Sequence, residues 1–480
     1  MNRPLRKVVV AALVMFAALL VNANLVQVVD AHSLANDSRN SRLLYQQYSQ
    51  QRGPIVVGGK PVAESVVTHD ALKYLRVYPQ GPLYAPVTGY YSLTYKYSGI
   101  EAAANDLLAG SSDKLFVKRL SDYFTGREVQ GGAVVLTLNP RAQQAGYDAL
   151  TSHHYRGAVV AIQPSTGAIL ALVSTPSYDP TKVSTHSADA NTAAWNSYLK
   201  NPYAPMLDRA ISQTYPPGST FKVITTAAAL STGNYNPDTV IPAPDKLTFA
   251  NGKPLGNFAG ETCSSSGRMT LRDALRQSCN TAYGALGVHI GSSRIVNQAE
   301  AFGVGRSLSI PMPVADSRVP RETAAPFVAQ EAIGQHDDSV TPLQMAMVAA
   351  GIANGGEVMR PYLVAQERAP DSSVLSQATP KPLSRAVSPT VAGELTSMME
   401  TVVRSGTGTA AQIPGVVVAG KTGTAQHGGA APYAWFISFA PAANPSVAVA
   451  VVVENTTPSD TGGIVAAPIA RAVMEAVLGR

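Results

Sequence analysis

Cysteine is almost missing from this 480-residue chain, which has only Cys263 and Cys279. Two thiols and eight scattered histidines, none in a ligand-spaced pair, offer no sequence framework for a metal; neither a metal site nor a cofactor is expected. Charge is sparse as well, at 14% of residues against 45% hydrophobic, which excludes a disordered chain. The net charge of +6 comes without basic runs, so no nucleic-acid partner is expected. No Gly-x-Ser-x-Gly elbow occurs either. His336 with Asp337 or Asp338 therefore reads as a surface cluster, not as part of a catalytic triad.

What is present begins at the N-terminus. Arg3, Arg6 and Lys7 precede an unbroken apolar run from Val8 to Val21, and apolar character continues to Val29. That is about the ~20 residues a spanning helix needs, with the basic flank left cytoplasmic and the rest exported. Val21-Asn-Ala23 also resembles a signal-peptide cleavage site. A retained anchor is favoured because the apolar stretch runs past that site, and either reading exports the chain. In an oxidising compartment Cys263 and Cys279 suit a disulfide contributing ~3 kcal/mol, the alternative being two buried free thiols.

Residues 31–132 form a region rich in Tyr, Gln, Ser and Gly, too polar for an independent enzyme and suited to a scaffold. Beyond it, Gly132–Leu138 reads as a strand and Pro140–Leu150 as a helix started by Asn139. Gly157–Ile162 and Ala168–Val173 flank a Pro-Ser-Thr-Gly turn, which predicts a hairpin. Thr175–Leu207, with prolines at 176, 180, 202 and 205, reads as loop-rich. Helices are expected over Ser219–Leu230, Leu271–Arg276, Ala282–Ile290, Met345–Ile352 and Ala466–Leu478, and strands over Val416–Ala419, Ala434–Ala440 and Val447–Val453. Strands at both ends with helices between them predict one layered α/β unit whose sheet joins distant segments.

Three short motifs then occur in order: Ser219-Thr-Phe-Lys222, Ser278-Cys-Asn280 and Lys421-Thr-Gly-Thr424. Each alone is weak, since Ser111/Lys114 and Ser197/Lys200 also fit Ser-x-x-Lys and Ser38-Arg-Asn40 fits Ser-x-Asn. Together they supply a hydroxyl nucleophile, amines to move its proton, an amide to align a substrate and a basic strand for a carboxylate. Lys222 falls between Phe221 and Val223 in an apolar segment, one helical turn after Ser219, where desolvation would make it a base. Gly423 would let a substrate backbone approach the edge, and the Thr424 N–H would complete an oxyanion hole. Gly415–Thr422 also matches a phosphate-loop pattern. A strand-like Val416–Val418 inside the would-be loop, and glycines where a helix should follow, reject a nucleotide partner.

With Arg52-Gly-Pro-Ile55, Pro176–Pro180, Tyr215–Lys222, Ile333-Gly-Gln335, Thr341–Gln344 and Ala434-Trp-Phe436, these motifs make the chain resemble a class B penicillin-binding protein, most similar to the short actinobacterial A type. The resemblance implies a penicilloyl-serine transferase fold, an antiparallel sheet of about five strands with helices on both faces. It implies a 1–30 tail and membrane anchor, a short 31–132 pedestal and a 133–480 transpeptidase domain. The implied activity is D,D-transpeptidation of peptidoglycan stem peptides at the cell membrane, on its extracytoplasmic side, inhibited by β-lactams. Ser219 would be nucleophile, Lys222 base, Ser278 proton relay and Asn280 substrate aligner, with Lys421, Thr422 and Thr424 on the terminal carboxylate. The short first region implies a monofunctional enzyme with a separate membrane glycan polymerase as partner. A D,D-carboxypeptidase differs only in its acceptor. A β-lactamase would need a water-activating Glu that is not apparent, and the seven-residue tail disfavours a β-lactam sensor.

Overall fold

The computed structural model describes residues 3–29, 48–250, 253–427, 430–457 and 459–480. At its centre five antiparallel strands lie in the order Ala419–His427, Ala430–Ala440, Val447–Val453, Gly157–Ile162, Ile169–Thr175. Val447–Val453 and Gly157–Ile162 are buried along their whole length, which explains unbroken Val/Ala/Ile runs in place of alternation. Their register, with Val451 opposite Val159, joins the two distant segments as expected. Ala419–His427 has a partner on one side only and forms the sheet edge.

Helices Pro140–Thr151 and Ala467–Leu478 pack on one face of the sheet. On the other lies Pro342–Ala353, buried from Pro342 to Ile352 and apolar all round because it has neighbours all round. Pro389–Ser405 packs beside it against the edge strand Ala419–His427, and Lys222–Leu230 packs against Pro389–Ser405. Several helices depart from the sequence reading, among them Ser292–Ala301 and two others. Ala188–Lys200 occupies the stretch expected to be loop: Ser187 caps it, and Asn191, Ala194, Trp195 and Tyr198 mark the face that packs on Tyr90, Tyr178 and Val183. Pro389–Ser405 is absent from the expected elements although Ser388 caps it and Val391, Leu395, Met398 and Val402 mark a buried stripe. Val416–Val418 is not a strand: Gly415 turns the chain with φ +72°, Val417 is exposed, and pairing begins at Ala419.

A second sheet has six strands in the order Val374–Gln377, Val364–Arg368, Ala133–Leu136, Ile55–Val57, Lys60–Val67, Tyr74–Val77. It therefore draws strands from both sides of position 132, with Ile55–Val57 parallel to Ala133–Leu136. Beneath it the fully buried Glu101 carboxylate is gripped by Arg52 and Arg76, each at 2.6 Å. Arg52 also donates to the Glu101 carbonyl, giving the Arg52–Ile55 stretch its structural role. Helix Arg3–Asn24 lies apart from both sheets. Residues 4–27 have a mean hydropathy of 2.4 and no burial, making this the one helix among the described residues long and apolar enough to cross a membrane.

Candidate active site

The segment leading to Ser219 is clamped from several directions. Tyr215 exchanges backbone hydrogen bonds with Val340, and its hydroxyl donates to Glu454 at 2.6 Å. Glu454 is also held by Arg209 at 2.9 Å. The Trp435 indole donates to the Pro216 carbonyl at 3.0 Å, and the Gly218 N–H to the Gly334 carbonyl at 2.8 Å. Ser219 sits in a 3-10 turn, Gly218–Thr220, that feeds helix Lys222–Leu230. This differs slightly from the single helix expected from Ser219 onward, and it leaves Ser219 half-buried at the cleft while Lys222 is fully buried.

The second motif meets the first here. Helix Leu271–Gln277 ends at Ser278, which takes a left-handed φ of +63°, and helix Asn280–Ile290 starts two residues on. That sharp reversal aims both polar groups back at Lys222, whose Nζ donates to the Ser278 carbonyl at 2.6 Å and to Asn280 Oδ1 at 2.7 Å. Ser278 Oγ lies 3.4 Å from the same amine. Burial, and then the like charge of Lys421, push the Lys222 amine well below its ordinary range.

The third motif lies on the edge strand. Lys421 pairs opposite Ile437 and is fully buried; its Nζ donates to Ser278 Oγ at 2.8 Å and to the Thr422 carbonyl at 2.9 Å. Burial lowers its pKa to about 7. A Cβ at Gly423 would lie 2.9 Å from both Thr220 Cγ2 and Trp435 Cβ, and 3.1 Å from the Pro217 carbonyl. Gly423 thus lets the nucleophile turn pack on the strand, a reason found inside the protein and distinct from the substrate approach expected from sequence. No helix follows Thr424, since the strand runs on to His427.

Ser219, Ser278, Asn280, Thr422 and Thr424 line one cleft of about 860 Å³, with Lys222 and Lys421 buried behind it. Cys263 and Cys279 are in its wall, joined as a disulfide with Cα atoms 6.0 Å apart. The competing motifs are not assembled. Ser111, Lys114, Ser197 and Lys200 are all exposed, whereas Ser38–Asn40 lies outside the described residues. Sequence reading missed Thr407, whose hydroxyl meets that of Thr422 at 2.6 Å, and Thr461 on the cleft wall; Gln335, quoted only within a family-like stretch, also lines it. It also missed Tyr283, whose ring lies 5.5 Å from the Lys222 amine and whose hydroxyl meets Thr226 at 2.6 Å. These positions are far apart in the chain and carry no local signature.

A five-stranded antiparallel sheet between helices, with a serine and two buried lysines brought to its edge strand, defines an active-site-serine protein of the penicilloyl-serine transferase class. Residues 157–475 match the penicillin binding protein transpeptidase domain, and residues 52–134 the penicillin binding protein A dimerisation domain. The chain belongs to the penicillin-binding protein transpeptidase family. It is 46% identical over 488 residues to peptidoglycan D,D-transpeptidase PbpA of Mycobacterium tuberculosis H37Rv, covering 100% of this chain and 99% of that one. PbpA of Mycolicibacterium smegmatis gives the same identity and coverage. Among solved structures, penicillin-binding protein A from M. tuberculosis as its penicillin G acyl-enzyme superposes with TM-score 0.86 at 46% identity, covering 89% of this chain and 100% of that one.

Proposed function

We propose that this chain is a peptidoglycan D,D-transpeptidase that works through a Ser219 acyl-enzyme and is inhibited by β-lactams. The observation that carries the reading is the convergence of Lys222, Ser278, Asn280 and Lys421 on one hydrogen-bonded cluster behind Ser219. Full-length similarity to proteins named D,D-transpeptidases supports it. A neutral amine has two N–H bonds and one lone pair. With both N–H bonds donated to the Ser278 carbonyl and Asn280, the lone pair of Lys222 is left for the Ser219 proton. Ser219 Oγ attacks the penultimate D-alanine carbonyl, and the Thr424 N–H receives the oxyanion. Ser278 relays the proton to the departing D-alanine nitrogen, and an amine of a second stem peptide then takes the acyl group. Thr422, Thr424 and the charge of Lys421 receive the terminal carboxylate, while the edge strand pairs with the extended peptide.

The reading extends to place and partners. The helix Arg3–Asn24 spans the membrane once, with Arg3, Arg6 and Lys7 inside and the catalytic unit outside, where the Cys263–Cys279 disulfide forms. Residues 31–132 form most of the pedestal, whose sheet is completed by Ala133–Leu136, Val364–Arg368 and Val374–Gln377 from the otherwise catalytic 133–480 segment, and a separate membrane polymerase supplies the glycan strands. The test is intact-protein mass after incubation with penicillin, followed by mapping of the modified peptide. One adduct on Ser219, absent in Ser219→Ala, is expected. No adduct on folded wild-type protein, or one on Ser111 or Ser197, refutes the reading.

A further inference from the structure

Beside the active site the chain gathers a second polar cluster that the proposed reaction does not use. His336 follows Gln335, a cleft-wall residue, and its Nε2 lies 3.4 Å from Glu322 Oε1 and 3.9 Å from Asp337 Oδ2. One ligand atom from each of these three residues falls within 4.8 Å of the others. Phe327 stacks flat on the imidazole, at 4.5 Å between centroids and 4° between planes, which fixes the plane of the ring. Arg321, adjacent to Glu322, is turned away to Glu300 and Asn297.

Two further carboxylates stand behind these three. Asp338 is only 3% exposed, and neither of its oxygens has a hydrogen-bond partner among the described residues. Glu331, 1% exposed, has the Ser292 hydroxyl beside it. Asp338 lies in the field of Glu331, Glu322 and Asp337, all of its own sign. Backbone geometry adds to the oddity, for His336 holds φ +68°, a conformation in which a glycine would be unstrained.

We propose that Glu322, His336 and Asp337 form a binding site for a divalent cation of the zinc class. One imidazole and two carboxylates, leaving a position for water, make a donor set suited to a borderline cation more than to calcium or magnesium, which favour all-oxygen shells. The bound ion would fasten the 332–338 loop. That loop carries Gln335 on the cleft wall, and its Gly334 carbonyl accepts the Gly218 N–H one residue before Ser219. The motif is invisible in sequence because Glu322 lies far upstream of the His-Asp-Asp run.

The test uses full-length protein in detergent, stripped with a chelator and titrated calorimetrically with zinc chloride. Binding of about one zinc per chain is expected, with X-ray absorption showing one imidazole nitrogen at ~2.0–2.1 Å. His336→Gly, which suits the backbone angle, and Glu322→Gln should each weaken binding by at least about tenfold. Thermal melts in chelator establish that both variants are folded. The disulfide removes both thiols as competing ligands. No zinc binding by the wild type, wild-type affinity in the folded His336→Gly variant, or an absorption spectrum without imidazole overturns the proposal and leaves a surface ion pair.

Discussion

Replacing Lys421 by methionine should move the pH dependence of acylation in a direction that carboxylate recognition alone does not predict. Lys222 and Lys421 share Ser278 Oγ, at 3.4 and 2.8 Å. The amines are therefore no further apart than those two lengths end to end, about 6.2 Å. At an effective dielectric of about 20, two unit charges at that separation repel by about 2.7 kcal/mol, equivalent to about two pH units. Lys421, with its pKa lowered to about 7 by burial, is charged below neutral pH, and its charge adds to the burial that holds the Lys222 amine well below its ordinary range. Its positive charge therefore keeps Lys222 a free base to lower pH. Methionine fills the slot without the charge, so the acid-side midpoint of acylation should rise by about two pH units, in addition to an overall fall in rate from lost carboxylate recognition. Lys421→Arg, which keeps the charge, should leave the midpoint near the wild-type position. The assay is the second-order rate of labelling by a fluorescent penicillin across the acidic-to-neutral range. An acid limb in Lys421→Met that is unmoved, or shifted down, refutes the coupling.

Glu101→Gln should cost about 3–5 kcal/mol in a denaturant melt, because it strands two buried guanidinium groups. Burial opposes ionisation of Glu101, but Arg76 and Arg52 outweigh it and hold the carboxyl below its ordinary range. This contribution is therefore complete above the ordinary carboxylate value and lost as pH falls through the lower folded value; a wild-type melt without such acid loss would contradict it. Gly423→Ala should destabilise by about 1–3 kcal/mol and slow acylation, since its Cβ meets Thr220 and Trp435; wild-type rate and melting temperature would refute the packing role. Unreduced protein should resist alkylation at Cys263 and Cys279 and take two labels after reduction and unfolding, whereas full labelling of folded, unreduced protein would exclude the disulfide.

The parts of the fold that the sequence declared are those where a local signal and tertiary packing agree. Asn139 caps its helix as its side chain predicts, and the valine runs become fully buried strands. Signals failed where packing is one-sided or remote. Ala188–Lys200 packs its Trp195 and Tyr198 face only partly buried against a small aromatic cluster, so the prolines around it outweighed its capping serine. Val364–Arg368 and Val374–Gln377 are short and only partly buried, and nothing local says that they complete a sheet begun at residue 55. At the site, the motif residues were legible because each motif is compact. Thr407 and Thr461 were not, because only the closed sheet brings them to the Lys421 strand.

The six-stranded sheet has a consequence for how the molecule can be divided. Its middle strand, Ala133–Leu136, is held between Ile55–Val57 on one side and Val364–Arg368 on the other. Cutting the chain at position 132 would strip one side of that strand and leave a raw backbone edge open to aggregation. Base and enzyme are thus sewn together by a seam that the chain crosses more than once. A pull on Ile55–Val57 would reach the five-stranded sheet's half of the chain through a ladder of hydrogen bonds in addition to the single covalent thread. The unit that evolution or an engineer can move is the whole stitched assembly, and an excised catalytic cassette would have to carry Ile55–Val57 with it.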